Sequence, residues 1–224
     1  MRNKLDERKL ELLRSHPSAL VTDAMRRLGI KEAWPADIHA ISAEPCKMVG
    51  RAVTLKYVPV IKGTHPQAPG QFDIISNCEA NDVLVYAALG VSAWLIGDNV
   101  ANLAIQKKLA GLIVDGGARD IADLQRCALP IFCKSRSTKP YAEELVLEAV
   151  NEPCLVAGAW VRPGDIVLGD ADGVVVIAAD KLDDLLYQLI DLHEVESALG
   201  QAIAGGKDVA TLNAFARLKG KRKL

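Results

Sequence analysis

Phenylalanine, tyrosine and tryptophan together make up only 4% of this 224-residue chain. A core must therefore be built from Leu, Ile, Val and Ala, and half of the residues are hydrophobic, which is ample for one. Neither sign of charge is in excess. The 27 basic and 28 acidic residues leave a net charge of −1, with no electrostatic footprint for a nucleic acid. The one basic cluster, Leu218-Lys219-Gly220-Lys221-Arg222-Lys223, reads as a solvated, frayed terminus. No run reaches the roughly 18 apolar residues of a membrane span. The opening MRNKLDERKLELLRSH interleaves charge with apolar residues and lacks the continuous apolar segment of a secretion signal. The five cysteines, Cys46, Cys78, Cys127, Cys133 and Cys154, contain no CxxC pair. Reduced, mostly buried thiols and a cytoplasmic location are expected.

The apolar pattern alternates short strands with helices, which predicts an α/β fold. Residues 4–15 suit an amphipathic helix through Leu5, Leu10, Leu12 and Leu13. Ser18–Leu28 reads as a second helix, capped by Ser18 or Thr22 and stopped at Gly29. Strands are expected at 52–55, 83–86, 93–96, 111–115, 129–132, 153–160, 166–168 and 174–177. The glycines and prolines between Lys62 and Gln71 predict a loop. Helices are expected from Asp98 to Leu109, from near Asp120, and from Ala179 to Ala204. The length suits one domain, 1–224, with a core over 18–206 and helical arms over 1–17 and 180–224. Arms of this kind often pack on a neighbouring subunit, so an oligomer is expected.

Three places offer chemistry. In Gly111-Leu112-Ile113-Val114-Asp115-Gly116-Gly117-Ala118-Arg119-Asp120, a buried strand runs to a glycine turn and presents Arg119 beside Asp120. Ligands of open α/β sheets sit at such strand ends. The guanidinium suits a carboxylate and the acid suits Mg²⁺ or Mn²⁺. A plain surface pair, with Asp120 as a helix cap, fits the spacing equally well. Asp123 follows one helical turn later. The second place is Gly97-Asp98-Asn99-Val100-Ala101, where a strand again opens into a helix whose free N–H groups can hold an anion. Asp98 there is either an N-cap or a holder of water. The third is the last long helix, where Leu182, Leu185, Leu189, Leu192, Leu199 and Ile203 form one stripe that includes Glu196 but not Glu194. A carboxylate among leucines needs a cation, a donor or water.

These segments, with Pro163-Gly164-Asp165-Ile166-Val167, Gly169-Asp170-Ala171-Asp172-Gly173-Val174-Val175-Val176, Gly50-Arg51-Ala52-Val53-Thr54 and Val21-Thr22-Asp23-Ala24, resemble one family in the same order. It contains the regulator of ribonuclease E activity A and the 4-hydroxy-4-methyl-2-oxoglutarate/4-carboxy-4-hydroxy-2-oxoadipate aldolases. The resemblance covers residues 18 to 206. It implies a phosphohistidine-swivelling-like α/β/α domain with helical arms, assembled as trimers or hexamers. It also implies roles. Arg119 binds the pyruvyl carboxylate and carbonyl, Asp120 ligates Mg²⁺ or Mn²⁺, and Asp98 holds the ion's waters. Gly97 and the amides of Asn99 and Val100 receive the substrate carboxylate, and Glu196 (in reserve Glu194) reaches in from an adjacent subunit. Asp120 directly after Arg119 matches the aldolase branch. One departure is Glu79-Ala80-Asn81-Asp82-Val83, which replaces the usual Pro-Gly-Asp-Val turn, and the loop around His65 and Gln67 matches no motif.

The implied activity is a class II, divalent-metal-dependent aldolase that releases pyruvate from 4-hydroxy-2-oxo acids and decarboxylates oxaloacetate on the side. Its partners are a small 2-oxo acid and other copies of the chain, with no nucleic acid or membrane. The alternative is a non-catalytic regulator of a ribonuclease. A methyltransferase lacks its glycine-rich cofactor loop here. A Schiff-base route would need a buried lysine, for which Lys56, Lys62 and Lys134 are candidates without a distinguishing mark.

Overall fold

The computed structural model describes residues 7–31, 33–43, 46–61 and 69–223. Leu5, Lys62, His65 and Gln67 lie outside the described residues. Contacts divide the chain into two units, Glu32–Ala179 and Met1–Lys31 with Asp180–Leu224.

The first unit carries the sheet. Its strands are β1 (His39–Ala40), β2 (Met48–Pro59), β3 (Asp82–Ala87), β4 (Trp94–Ile96), β5 (Gly111–Ala118), β6 (Ile131–Arg136), β7 (Leu145–Val150), β8 (Cys154–Val156), β9 (Ala159–Val161), β10 (Ile166–Asp170) and β11 (Gly173–Ile177). Nine of them form one sheet in the order β1-β6-β5-β3-β2-β10-β11, with β4 also on β5 and β7 also on β2. The centre, β2-β3-β5-β6, is parallel. Central parallel strands are covered on both faces and so read as unbroken apolar runs, as in the fully buried Asp82–Ala87. Alternate residues feed two cores. Leu84, Tyr86, Leu112 and Val114 enter one, and Val83, Val85 and Ile113 the other. Each such side chain contributes about 1.5–3 kcal/mol by burial.

Several expected boundaries move. Residues 153–160 are not one strand but a hairpin, because Ala157 and Gly158 take φ of 45° and 91°, the paired positive values of a tight two-residue turn. The strand expected at 52–55 extends to twelve residues. A short helix begins where only loop was expected, and β7 carried no clear signal. The helices of this unit are α3 (Gln71–Ser76), α4 (Asp98–Gln106) and α5 (Ile121–Leu124); α1 and α2 belong to the other unit. The motif Pro163-Gly164-Asp165 is structural. Buried Asp165 accepts the N–H groups of Arg162 at 2.8 Å and Ala179 at 3.2 Å.

The second unit is helical: α1 (Glu7–Arg14), α2 (Ser18–Arg27), α6 (Leu182–Ala204) and α7 (Val209–Lys219). Neither Ser18 nor Thr22 caps α2. Pro17 holds the cap position and Thr22 Oγ1 donates back to Ser18 O. Gly29, at φ 71°, does end the helix. The basic tail is ordered rather than frayed. Buried Arg27 donates to the carbonyls of Leu218 and Lys219 and to Asp191, and Gln188 exchanges two hydrogen bonds with the Lys223 backbone. Along α6, Leu182, Leu185, Leu189 and Leu192 are buried as expected, but Ile203 is exposed and Ala202 takes its place. Glu196 is half-buried and meets Lys219 of α7, the cation its position required, while Glu194 is exposed. No described helix is long and apolar enough to cross a membrane. The described cysteines form no disulfide, and all but Cys127 are buried.

Candidate active site

The site sits where two parallel strands end side by side. β4 pairs with β5 through Trp94 with Gly117 and Ile96 with Ala118. Gly116 and Gly117 permit this approach. An added Cβ would lie 2.6 Å from Leu95 Cδ1 at Gly116, and 2.7 Å from Ala93 O at Gly117. These glycines do not stop the strand, as the sequence had suggested. They let it continue past a neighbour and deliver Arg119 at its end.

The Arg119 N–H donates to Ile96 O at 3.0 Å. Its guanidinium carbon lies 3.9 Å from the centre of the Trp94 ring, a cation–π contact worth about 0.5–1 kcal/mol at an exposed position. Asp120 follows in the left-handed region, with φ 55° and ψ 38°, a conformation that costs a non-glycine residue about 1–2 kcal/mol. It stands before α5 but its side chain does not cap that helix. Its Oδ2 turns back instead, 3.4 Å from Arg119 Nε and 3.3 Å from the Asp98 N–H, which donates to it. Gly97 makes room for this. Its backbone is ordinarily extended, yet an added Cβ would sit 2.3 Å from Asp120 Oδ2. Asp123 does not share a face with Asp120, which stands outside the helix; Asp123 pairs with Arg126 at 2.6 Å.

Gly97, not Asp98, occupies the N-cap of α4. Asp98 Oδ1 accepts the N–H of Asn99 at 2.7 Å, so that amide is already engaged. The Val100 amide lies ahead of the first helical bond, from Ala101 N–H to Gly97 O, and is the amide suited to an incoming carboxylate. Arg119, Asp98, Asn99, Val100 and Gly97 all border one cleft of about 610 Å³, together with Gln71, Phe72, Trp94 and Tyr141.

Two of the candidate lysines, Lys56 and Lys134, are elsewhere. Lys56 pairs with Glu148 at 2.6 Å, and Lys134 lies 3.7 Å from buried Asp115. No lysine is among the described residues that line the cleft. No group of three or more His, Cys, Asp or Glu side chains forms a metal cage among the described residues. Mg²⁺ does not require one, since it keeps several waters and uses one or two carboxylates plus substrate oxygens. Asp120, released from capping and adjacent to Asp98, supplies hard oxygen donors that fit Mg²⁺ or Mn²⁺.

Residues 18–176 match the RraA-like family, described as Aldolase/RraA. The chain belongs to this family. A candidate 4-hydroxy-4-methyl-2-oxoglutarate aldolase of Halalkalibacterium halodurans is 30% identical over 197 residues, covering 85% of this chain and 86% of that one. Protein DlpA of Legionella pneumophila is 27% identical over 191 residues, or 84% of this chain, but the chain spans only 30% of its length. Among solved structures, Streptomyces coelicolor RraAS2, described as an unusual member of the RNase ES inhibitor RraA protein family, superposes with a TM-score of 0.79. It shares 26% identity over 88% of this chain and 98% of that one.

Within this RraA-like frame, the sequence reading missed the aromatic side of the cleft. Trp94 was legible as part of the apolar run 93–96, and a tryptophan is conspicuous in a chain so poor in aromatics. Its stacking on Arg119 depends on the parallel pairing of β4 with β5. Phe72 and Tyr141 come from α3 and from the segment before β7, elements the sequence did not announce.

Proposed function

We propose that this RraA-like protein is a divalent-metal-dependent class II aldolase. It cleaves 4-hydroxy-2-oxo acids to pyruvate and decarboxylates oxaloacetate at the same site. One observation carries the reading: Arg119, Asp98 and Val100 line one cleft, and Asp120, outside that lining, touches both Arg119 and the Asp98 N–H. The substrate carboxylate binds the Arg119 fork and the Val100 amide. Asp120 would hold a divalent cation, which would supply Lewis-acid polarisation of the 2-oxo acid.

In the aldol direction, the C4 hydroxyl loses its proton and the C3–C4 bond breaks. The electron pair enters the pyruvyl half as an enolate, and C4 leaves as a carbonyl. Arg119 stabilises the developing oxyanion, a contribution whose loss commonly costs about 10²–10³ in rate. With Oδ1 occupied by Asn99 N–H, Asp98 keeps its other oxygen for the hydroxyl proton, directly or through water. Protonation at C3 then yields pyruvate. Oxaloacetate reaches the same enolate by losing CO₂, with no hydroxyl proton to remove.

We assign Glu196, which within one chain pairs with Lys219, or in reserve the exposed Glu194, the completion of this site from a neighbouring copy in a trimer or hexamer in the cytoplasm. The likeness to RraAS2 favours a second reading, a regulator that binds a ribonuclease without turnover. The deciding experiment measures pyruvate from a panel of 4-hydroxy-2-oxo acids and oxaloacetate with Mg²⁺ or Mn²⁺. Wild type is expected to turn over. Arg119→Ala and Asp120→Ala are expected to lose at least about 10²-fold while staying folded and assembled. Silence of the wild type on the whole panel would favour the regulator, and full activity of Asp120→Ala would remove the metal assignment.

A further inference from the structure

We propose that the cleft selects 2-oxo acids whose far end carries an apolar, aryl-like substituent rather than a second carboxylate. This rests on the reading just given and names its substrate class. Beyond Arg119, the cleft wall is aromatic. The Trp94 and Tyr141 rings meet edge to face, with centroids 6.2 Å apart at 84°. Tyr141 is fixed from behind by Tyr57 at 5.6 Å and 87°. Phe72, on α3, leaves 56% of its surface exposed toward solvent and lines the same cleft. Flat apolar groups gain from such edge and face contacts.

The polar inventory points the same way. Arg119 is the only cation among the described lining residues, and the pyruvyl carboxylate claims it. Both N–H bonds of the Gln71 amide are committed, since Nε2 donates to Tyr57 Oη at 3.3 Å and to Leu95 O at 3.1 Å. The acidic side chains among the described lining residues are Asp73 and Asp98. Among the described lining residues, a second substrate carboxylate would therefore meet two acids and the exposed Asn99 side chain, with no further cation to repay its desolvation.

The test uses binding as well as turnover. 4-Phenyl-2-oxobutanoate and 2-oxoglutarate lack the C4 hydroxyl and are not cleaved, so calorimetric titration of the full chain with Mg²⁺ reads affinity alone. The phenyl acid is expected to bind at least about tenfold tighter, the size of discrimination an apolar pocket supplies. Phe72→Lys, at an exposed position, is expected to keep the melting temperature and to lower that ratio at least about tenfold. A wild-type ratio below tenfold, or one favouring the diacid, overturns the preference. So does an unchanged ratio in Phe72→Lys. Turnover of 4-hydroxy-4-phenyl-2-oxobutanoate and 4-hydroxy-4-methyl-2-oxoglutarate is measured in parallel. Tight phenyl-acid binding without cleavage of either would sink the aldolase reading and keep the preference. Cleavage with a diacid preference would do the reverse, and no binding of either acid would remove both.

Discussion

Replacing Gly97 with alanine separates the geometry of the site from the stability of the fold. The backbone at Gly97, with φ −150° and ψ −166°, is extended and open to any residue, so the change adds no torsional strain. The new Cβ would stand 2.3 Å from Asp120 Oδ2, and 3.2 Å from Arg119 Cγ. Ordinary contact begins at about 3.4 Å, so the Asp120 carboxylate must retreat by about 1 Å, and a misplacement of that size in a reacting constellation costs about 10²-fold in rate. Changing the N-cap of α4 from glycine to alanine costs about 1 kcal/mol or less, which moves the melting temperature by about 2–4 °C. The assay is pyruvate release coupled to NADH oxidation over a range of Mg²⁺ concentrations, with thermal unfolding in parallel. The expected result is about 10²-fold lower kcat/KM, a higher Mg²⁺ requirement and near-native melting. Wild-type kcat/KM in Gly97→Ala would refute the claim that the placement of Asp120 matters to the reaction.

Two predictions concern the rest of the molecule. Arg27, donating to Asp191, holds that carboxyl below its ordinary value of 3.8, with Lys223 adding to the effect. A carboxyl depressed by folding contributes stability above its unfolded pKa and loses it as pH falls through the folded one. Asp191→Asn is therefore expected to lose about 1–3 kcal/mol in urea unfolding near neutral pH. The gap to wild type should close as pH drops below 3.8, and a gap independent of pH would deny the pair its role. Burial pushes the thiols of Cys133 and Cys154 up to about 11. With Cys46 and Cys78 also buried, a thiol reagent at mildly alkaline pH should label only Cys127 in the native protein, and all five cysteines after denaturation. Rapid native labelling of Cys154 would contradict its burial on β8 of the hairpin.

Period and punctuation in the sequence reached most of the fold. Apolar runs located the buried strands, because a strand covered on both faces leaves no polar position to disguise it. Gly29 marked the end of α2 because a left-handed residue is needed there. Arg119 and Asp120 were legible because they end such a run. Their relation was not. Gly116-Gly117 looks like a turn to any local rule, and only the pressure of β4 against β5 shows it to be a gap for a neighbouring backbone. The tail after residue 218 looked solvated by composition, yet Arg27, almost two hundred residues earlier, collects its carbonyls.

What the sequence determined by itself is chemical supply: a guanidinium next to a carboxylate, each at the end of an apolar segment, with no spare charge elsewhere to attract a polyanion. Tertiary structure decided direction. It turned Asp120 away from the helix it precedes and toward Gly97, and laid Arg119 on Trp94. Such choices depend on distances between residues far apart in the chain, and local propensity holds no information about a neighbour that arrives by folding.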